Sequence, residues 1–119
     1  MRYRVKQDAA ADAGIVAQVD WYRADERRGG EVLAKRWVDA LHKALRTLEE
    51  APTQHRFAPE NGKWMPEFEL RQLLFRPWKS DVGWRVLYTI DEKAKTVTVL
   101  QVRHERRRYR HEGADEDAG

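Results

Sequence analysis

Residues 68–104, FELRQLLFRPWKSDVGWRVLYTIDEKAKTVTVLQVRH, limit the possible folds of this 119-residue chain more than any other stretch. Three runs in it, 69–75, 84–90 and 97–102, are rich in Leu, Val, Ile, Tyr and Phe. Such side chains suit a half-buried pleated surface. The connections are short and polar: 76–83 contains Pro77 and Gly83, and 91–95 is charged. Strands joined so briefly run antiparallel, because a parallel pair needs a long crossover. The prediction is an antiparallel meander. In its second strand Trp84, Val86, Tyr88 and Ile90 share one face, and Arg85, Leu87 and Thr89 the other. In its third, Leu100 and Val102 oppose Val97, Val99 and Gln101.

Upstream the period changes. Residues 3–6 read as a short strand, and Asp8 is placed to cap a helix over 9–28 with its carboxylate. Ile15, Val16, Val19 and Tyr22 give that helix an apolar stripe, and Gly29-Gly30 breaks it. A second helix over 31–50 carries the clearest periodicity: Leu33, Trp37, Ala40, Leu41, Ala44, Leu45 and Leu48 form one face. Lys35, Arg36, Asp39, His42, Lys43, Arg46 and Glu49 fall largely off it. Glu31 suits the positive end of the helix dipole, and Pro52 stops the helix. The two helices form an αα-hairpin whose apolar face needs a cover, which the meander supplies. The fold class is therefore α+β, in the order strand, helix, helix, strand, strand, strand: a two-helix hairpin on a small, twisted, mainly antiparallel sheet. The predicted core is Val16, Val19, Leu33, Trp37, Leu41, Leu45, Leu48, Leu70, Val86, Tyr88, Val99 and Val102. Residues 53–66 read as an irregular loop held to the body by Trp64 and Met65.

Residues 1–111 are expected to form a single domain and 112–119 an acidic disordered tail. The tail carries four acids and no base; the rest holds 23 Lys and Arg against 16 acids, a net of +7. A body so basic favours an anionic partner, whether nucleic acid or an acidic protein segment. The absence of cysteine excludes a disulfide framework and thiolate chemistry. No run approaches the ~18 apolar residues of a membrane span, and the first residues lack an apolar leader. The expectation is a soluble cytoplasmic protein without membrane contact.

No Gly-rich phosphate loop is present, and His42, His55, His104 and His111 are too scattered to suggest a metal site. No cofactor, metal or small-molecule substrate is expected. Arg71 and Arg85 sit inside predicted strands. They either face an anion, which a guanidinium grips at two points, or pair at the surface with Glu67, Glu69 or Asp81. Residues 103–111 hold Arg103, Arg106, Arg107, Arg108 and Arg110 with two histidines and Tyr109. Repulsion within such a run is relieved by a partner or a local acid. Trp78, between Arg76 and Lys79, either meets a partner or caps the core.

Four stretches in this order resemble the RelE/ParE toxin superfamily. They are A-x-R-W-x-x-x-L-x-x-A-L-x-x-L before Pro52, E-L-R at 69–71, W-R-V-L-Y-T-I-D at 84–91, and V-x-V-L-x-V-x-H-x-R-R at 97–107. The resemblance implies the toxin of a bacterial type II toxin–antitoxin system, a growth inhibitor neutralised by a cognate antitoxin. RelE-like members cleave mRNA on the ribosome without a metal; ParE-like members poison DNA gyrase. On the RelE-like alternative Arg71, Arg85, His104, Arg107 and Tyr109 would surround the scissile phosphate. Glu69 stands where a second basic residue belongs, and Tyr109 is displaced relative to its arginine. The long hairpin and the V-x-H-x-R-R ending favour the ParE-like branch. There Arg103, Arg106, Arg107, Arg108, Arg110 and Trp78 would serve partner binding. A third reading is a degenerate, non-toxic binding partner.

Overall fold

The computed structural model describes residues 2–63, 67–78 and 83–104. Its strands are β1 (Arg4–Gln7), β2 (Arg71–Phe75), β3 (Trp84–Asp91) and β4 (Thr96–His104). Its helices are α1 (Ala9–Arg23) and α2 (Gly30–Thr47), with 3-10 turns at Glu26–Arg28 and Pro52–Gln54. Asp8 does cap α1: its carboxylate accepts from the amides of Ala10 at 2.7 Å and Ala11 at 3.4 Å. The first helix ends five residues short of the expected position. Asp25 accepts from the amide of Arg27 at 2.8 Å and starts a separate 3-10 turn, a local bond that competes with helical continuation. The chain then reverses through Gly29 at φ +110° and Gly30 at φ +56°, where a Cβ on Gly29 would lie 2.5 Å from Leu33.

The four strands make one sheet in the order β1-β4-β3-β2. The meander pairs antiparallel as predicted, and β1 adds to the far edge parallel to β4. That parallel pair closes across the whole αα-hairpin, which supplies the crossover such pairs require.

Both helices lie on one side of the sheet. Trp37, Leu41, Leu45, Leu48, Ala34 and Tyr22 meet Leu73, Phe75, Trp84, Val86, Tyr88, Val97 and Val99 there. Trp37 is fully buried, its ring 5.3 Å edge-to-face from Trp84. Val19, Leu33 and Val102 are partly buried at the margin of this core. Val16 is a correction: it is 58% exposed. Adjacent helical residues are ~100° apart, so Ile15, in line with Ala11 and Tyr22, takes the inward position and Val16 turns outward.

A second correction concerns β4. Its register with β3 shifts between Leu87 and Tyr88: Tyr88 pairs with Val99 and Leu87 with Gln101, so Leu100 is an extra residue. The bulge resets the alternation. Val102 therefore joins Val97 and Val99 on the helix side, and Leu100 joins a small cluster on the other side with Ala58, Leu70 and Leu87. No helix among the described residues is long and apolar enough to cross a membrane.

Candidate functional site

The side of the sheet away from the helices, bare only in that no helix among the described residues covers it, is where Arg85, Arg103, Gln72 and Glu60 gather. Gln72, Arg85, Leu87 and Arg103 are in phase there, since Arg85 pairs with Arg103 and Leu87 with Gln72 and cross-strand partners share a face. Two guanidiniums side by side in a buried strand pair repel each other, so an acid must come from elsewhere. It comes from the loop after α2. Residues 56–61 lie along the outer edge of β2, held by Ala58 N–H to Leu70 O at 2.8 Å and Gln72 N–H to Arg56 O at 3.1 Å. Asn61 Oδ1 accepts from the Leu70 amide at 2.8 Å. This strap carries Glu60 under the sheet to Arg85. The fork is symmetric: Arg85 Nη1 donates to Glu60 Oε1 at 3.0 Å and Nη2 to Oε2 at 2.8 Å. Nη1 also donates to Gln72 Oε1 at 3.2 Å. Glu60 is 0% and Arg85 2% exposed. Arg103 is buried beside them and donates to Gln101 Oε1 at 3.3 Å.

Arg71 is on the opposite side. It is in phase with Leu73 and Phe75 and pairs with Tyr88, all of the helix-side core. Its guanidinium donates to the carbonyls of His55 at 2.6 Å and Thr53 at 3.4 Å and stacks 4.4 Å above the Phe57 ring. Among the described residues neither arginine pairs with Glu67 or Glu69; Asp81 lies outside them. The residue that sequence reasoning missed is Glu60. The one available signal was that it is the only acid between residues 51 and 66.

Beside Arg71, burial and then the Arg71 charge lower the pKa of His55 below its ordinary value. Burial pushes the Tyr88 hydroxyl up to about 12, while that hydroxyl donates to Pro52 O. Beyond the strap no described residue pairs with the edge of β2, and Leu74 there is 48% exposed. A groove of about 440 Å³ adjoins it, lined by Ala40, Ala44, Leu73 and Phe75 with Lys43 and Arg76 at its rim.

At the far end of the sheet His104 pairs with Trp84, their rings 5.0 Å apart edge-to-face. A second groove, about 550 Å³, runs from there along α1 past Gln18, Trp21 and Tyr22. Trp78 closes this corner: it is half-buried against the core, 5.8 Å from the Tyr22 ring. The structure thus brings Arg85, Arg103 and His104 to one end of the sheet, with the two arginines buried beneath it, sets Trp78 against Tyr22, and leaves Arg71 on the helix side. Arg106, Arg107, Arg108, Tyr109 and Arg110 lie outside the described residues, as do Trp64 and Met65. Among the described residues no group of three or more His, Cys, Asp or Glu could hold a metal.

A two-helix hairpin on a four-stranded sheet of this order is the architecture that the toxin resemblance implied. The family model for the ParE toxin of the type II toxin–antitoxin system parDE matches residues 15–109. The chain belongs to the ParE toxin family. No curated protein matches the sequence. Among solved structures, a chain of the chromosomal ParDE toxin–antitoxin system of P. aeruginosa matches with a TM-score of 0.62 at 16% identity, covering 87% of this chain and 96% of that one. A double mutant of the E. coli toxin RelE in its free state matches with a TM-score of 0.47 at 18% identity, covering 99% of this chain and 93% of that one. At 16% identity the likeness to the ParDE chain is one of fold. Family membership makes this chain the toxin component of a type II system.

Proposed function

We propose that this toxin arrests growth by acting on DNA gyrase and that it is not an mRNA nuclease. The observation that carries the reading is the separation of Arg71 from Arg85. A nuclease of the RelE type needs cationic groups converging where charge grows on the phosphate in the transition state. Here Arg85 is committed to Glu60 under the sheet, and Arg71 is on the other side holding loop carbonyls. Membership of the ParE family supports the same choice. We assign the target contact to Arg106, Arg107, Arg108 and Arg110, the basic run that follows His104 in the sequence.

Its neutralising partner is a cognate antitoxin. The open edge at Leu74, the apolar groove beside it and the Lys43 and Arg76 rim suit a segment that adds a strand and lays apolar and acidic side chains along the groove. Leu74→Pro should weaken that association at least tenfold, because proline lacks the amide a new strand would use. Unchanged affinity would move the antitoxin elsewhere.

The target is tested by expressing the wild type and an Arg106/Arg107/Arg108 triple alanine variant, with gyrase supercoiling assayed and mRNA ends mapped in each. The expected result is inhibited supercoiling and intact mRNA for the wild type, with inhibition lost in the triple variant. Codon-linked mRNA cuts by the wild type, absent in Arg85→Lys, would overturn the gyrase reading.

A further inference from the structure

We infer that the outer face of the αα-hairpin, turned away from the sheet, is a contact surface for a second copy of this chain, in a symmetric dimer that lays each α1 across the other copy's α2. The inference rests on the two helices alone and stands whichever macromolecule the toxin targets.

The two helices distribute their side chains differently. α2 is sharply amphipathic, with Trp37, Leu41 and Leu45 buried and charged residues opposite. In α1 the apolar residues run round the helix, and only Ala11 and Tyr22 are buried. A helix that is apolar on more than one side needs cover on more than one side. Val16 on α1 is 58% exposed, and Val32 at the start of α2 is 81% exposed. A cleft of about 390 Å³ between the helices is lined by Val19, Val32, Ala34 and Val38 and by no described residue of the sheet. At 1.5 Å per residue and ~10 Å per helix, the outer face measures about 25 Å by 20 Å. That is roughly 500 Å² per copy and 1,000 Å² for the pair, enough for a reversible dimer and too little for an obligate one.

Charge selects the occupant and its orientation. α1 is acidic. Asp12 and Asp20 are exposed and have no ion-pair partner among the described residues. The one cation of α1, Arg23, is held by Glu31 at 2.9 Å. α2 is basic, with Lys35, Arg36, Lys43 and Arg46 against Glu31 and Asp39. A surface with one acidic and one basic ridge is complementary to itself. A two-fold axis along the cleft sets α1 of each copy over α2 of the other. An axis across the helices would set α1 over α1 and α2 over α2, like charge on like. The first arrangement also keeps each residue at its own level along the hairpin. The Arg23–Glu31 pair fixes those levels, because the helices run antiparallel: Asp20 is level with Ala34 and Lys35, and Asp12 with His42 and Lys43. Asp20 therefore approaches Lys35 of the other copy, Asp12 approaches its Lys43, and the valines of the two clefts meet between them.

Sedimentation velocity on the free full-length chain, over a series from low to high micromolar concentration, tests this. The wild type should pass from monomer to dimer along the series. Val32→Glu, an exposed change that leaves the core alone, should raise the dissociation constant by about tenfold or more. Asp20→Lys should do the same by setting lysine against Lys35 of the other copy, and Lys35→Glu by setting glutamate against its Asp20. Circular dichroism matching the wild type shows that each variant is folded. The two-fold arrangement makes a further demand. In an equimolar mixture of Asp20→Lys and Lys35→Glu, both contacts between unlike chains again carry one acid and one base. The mixture should therefore dimerise at concentrations where neither variant does alone. A wild type that is monomeric throughout overturns the proposal, including the case in which Val32→Glu weakens antitoxin binding, which would give this face to the antitoxin. A dimer indifferent to all three substitutions overturns it as well, and so does a mixture no more dimeric than its components.

Discussion

The two sides of this sheet solve the burial problem in opposite ways. On the helix side the contact is aromatic and aliphatic throughout, from Trp37 and Leu41 to Tyr88 and Val99. On the bare side a four-residue apolar cluster shares the space with Arg85, Arg103, Gln72 and Glu60. The first is non-directional and scales with area removed from water. The second is directional: desolvating the charges costs much of what their attraction returns. What it adds is register. Sliding β2 by one residue would replace Gln72 beneath the sheet with Arg71 or Leu73 and turn Leu73 and Phe75 away from the helices. The helix side supplies most of the stability, and the bare side specifies how the loop and edge strand are seated.

The largest effect should come from the helix side. Trp37→Ala removes a fully buried ring in contact with Trp84 and Phe75 and should cost about 3–5 kcal/mol in denaturant unfolding. Next comes the bare side, where a cycle separates charge from packing. Arg85→Met alone strands Glu60 without its fork and should cost about 3 kcal/mol. Glu60→Leu/Arg85→Met together should recover most of that loss, because a matched apolar pair carries no desolvation penalty. If the double variant is no more stable than the single one, the ion pair contributes more than seating, and the contrast drawn between the two sides fails.

A third effect is confined to high pH. The Tyr88 hydroxyl is raised to about 12 by burial against an ordinary value near 10. The folded state holds this proton after the unfolded state has released it. Stability is therefore unaffected below pH ~10 and falls as pH rises from there towards 12, by up to about 3 kcal/mol. Tyr88→Phe should flatten this alkaline limb, at the expense of the bond to Pro52 O at all pH values. His55 works the other way near neutrality. Its pKa is lowered, chiefly by burial, so the unfolded state takes up a proton first as pH drops through ~6.5. Stability is full above that point and declines below it, and His55→Gln should remove the decline.

These two sides also differ in how far the sequence disclosed them. The helix side was legible because a 3.6-residue period in α2 and a two-residue period in β3 each leave one apolar face, and the two faces can only meet. Trp37, Leu41, Leu45, Leu48, Val86 and Tyr88 follow from that alone. The exceptions have local causes: Val16 lies beside Ile15 on a stripe too narrow for both, and Val102 reaches the core from the face that the bulge at Leu100 gives it, not the one that strict alternation gave. On the bare side little was legible. Arg85 was visible as an arginine in a strand, but its partner comes from 25 residues away in a loop with no period. An ion pair between distant segments leaves no local pattern, and only the finished topology brings Glu60 beneath β3. For the same reason Arg71 and Arg85 looked like neighbours in one groove; strand register, not spacing, sends them to opposite sides.

The smallest effect is the sharpest control on the comparison. Lys35 and Asp39 face each other across one turn of α2 with Nζ 2.8 Å from Oδ2, the same separation as Arg85 Nη2 from Glu60 Oε2. Distance alone would rank the two pairs as equals. Their surroundings differ entirely: the Lys35 and Asp39 side chains are 76% and 62% exposed, those of Arg85 and Glu60 3% and 0%. In water the attraction is weakened by the solvent dielectric and by salt, and ordering two long side chains offsets most of what remains. Lys35→Ala should therefore shift stability by no more than about 0.5 kcal/mol, and raising salt should erase even that. The substitution leaves the strap and core untouched, so any larger loss could not be assigned to packing. A loss comparable to that of Arg85→Met would mean that burial is not what distinguishes the two pairs, and the division of labour between the two sides of the sheet would have to be abandoned.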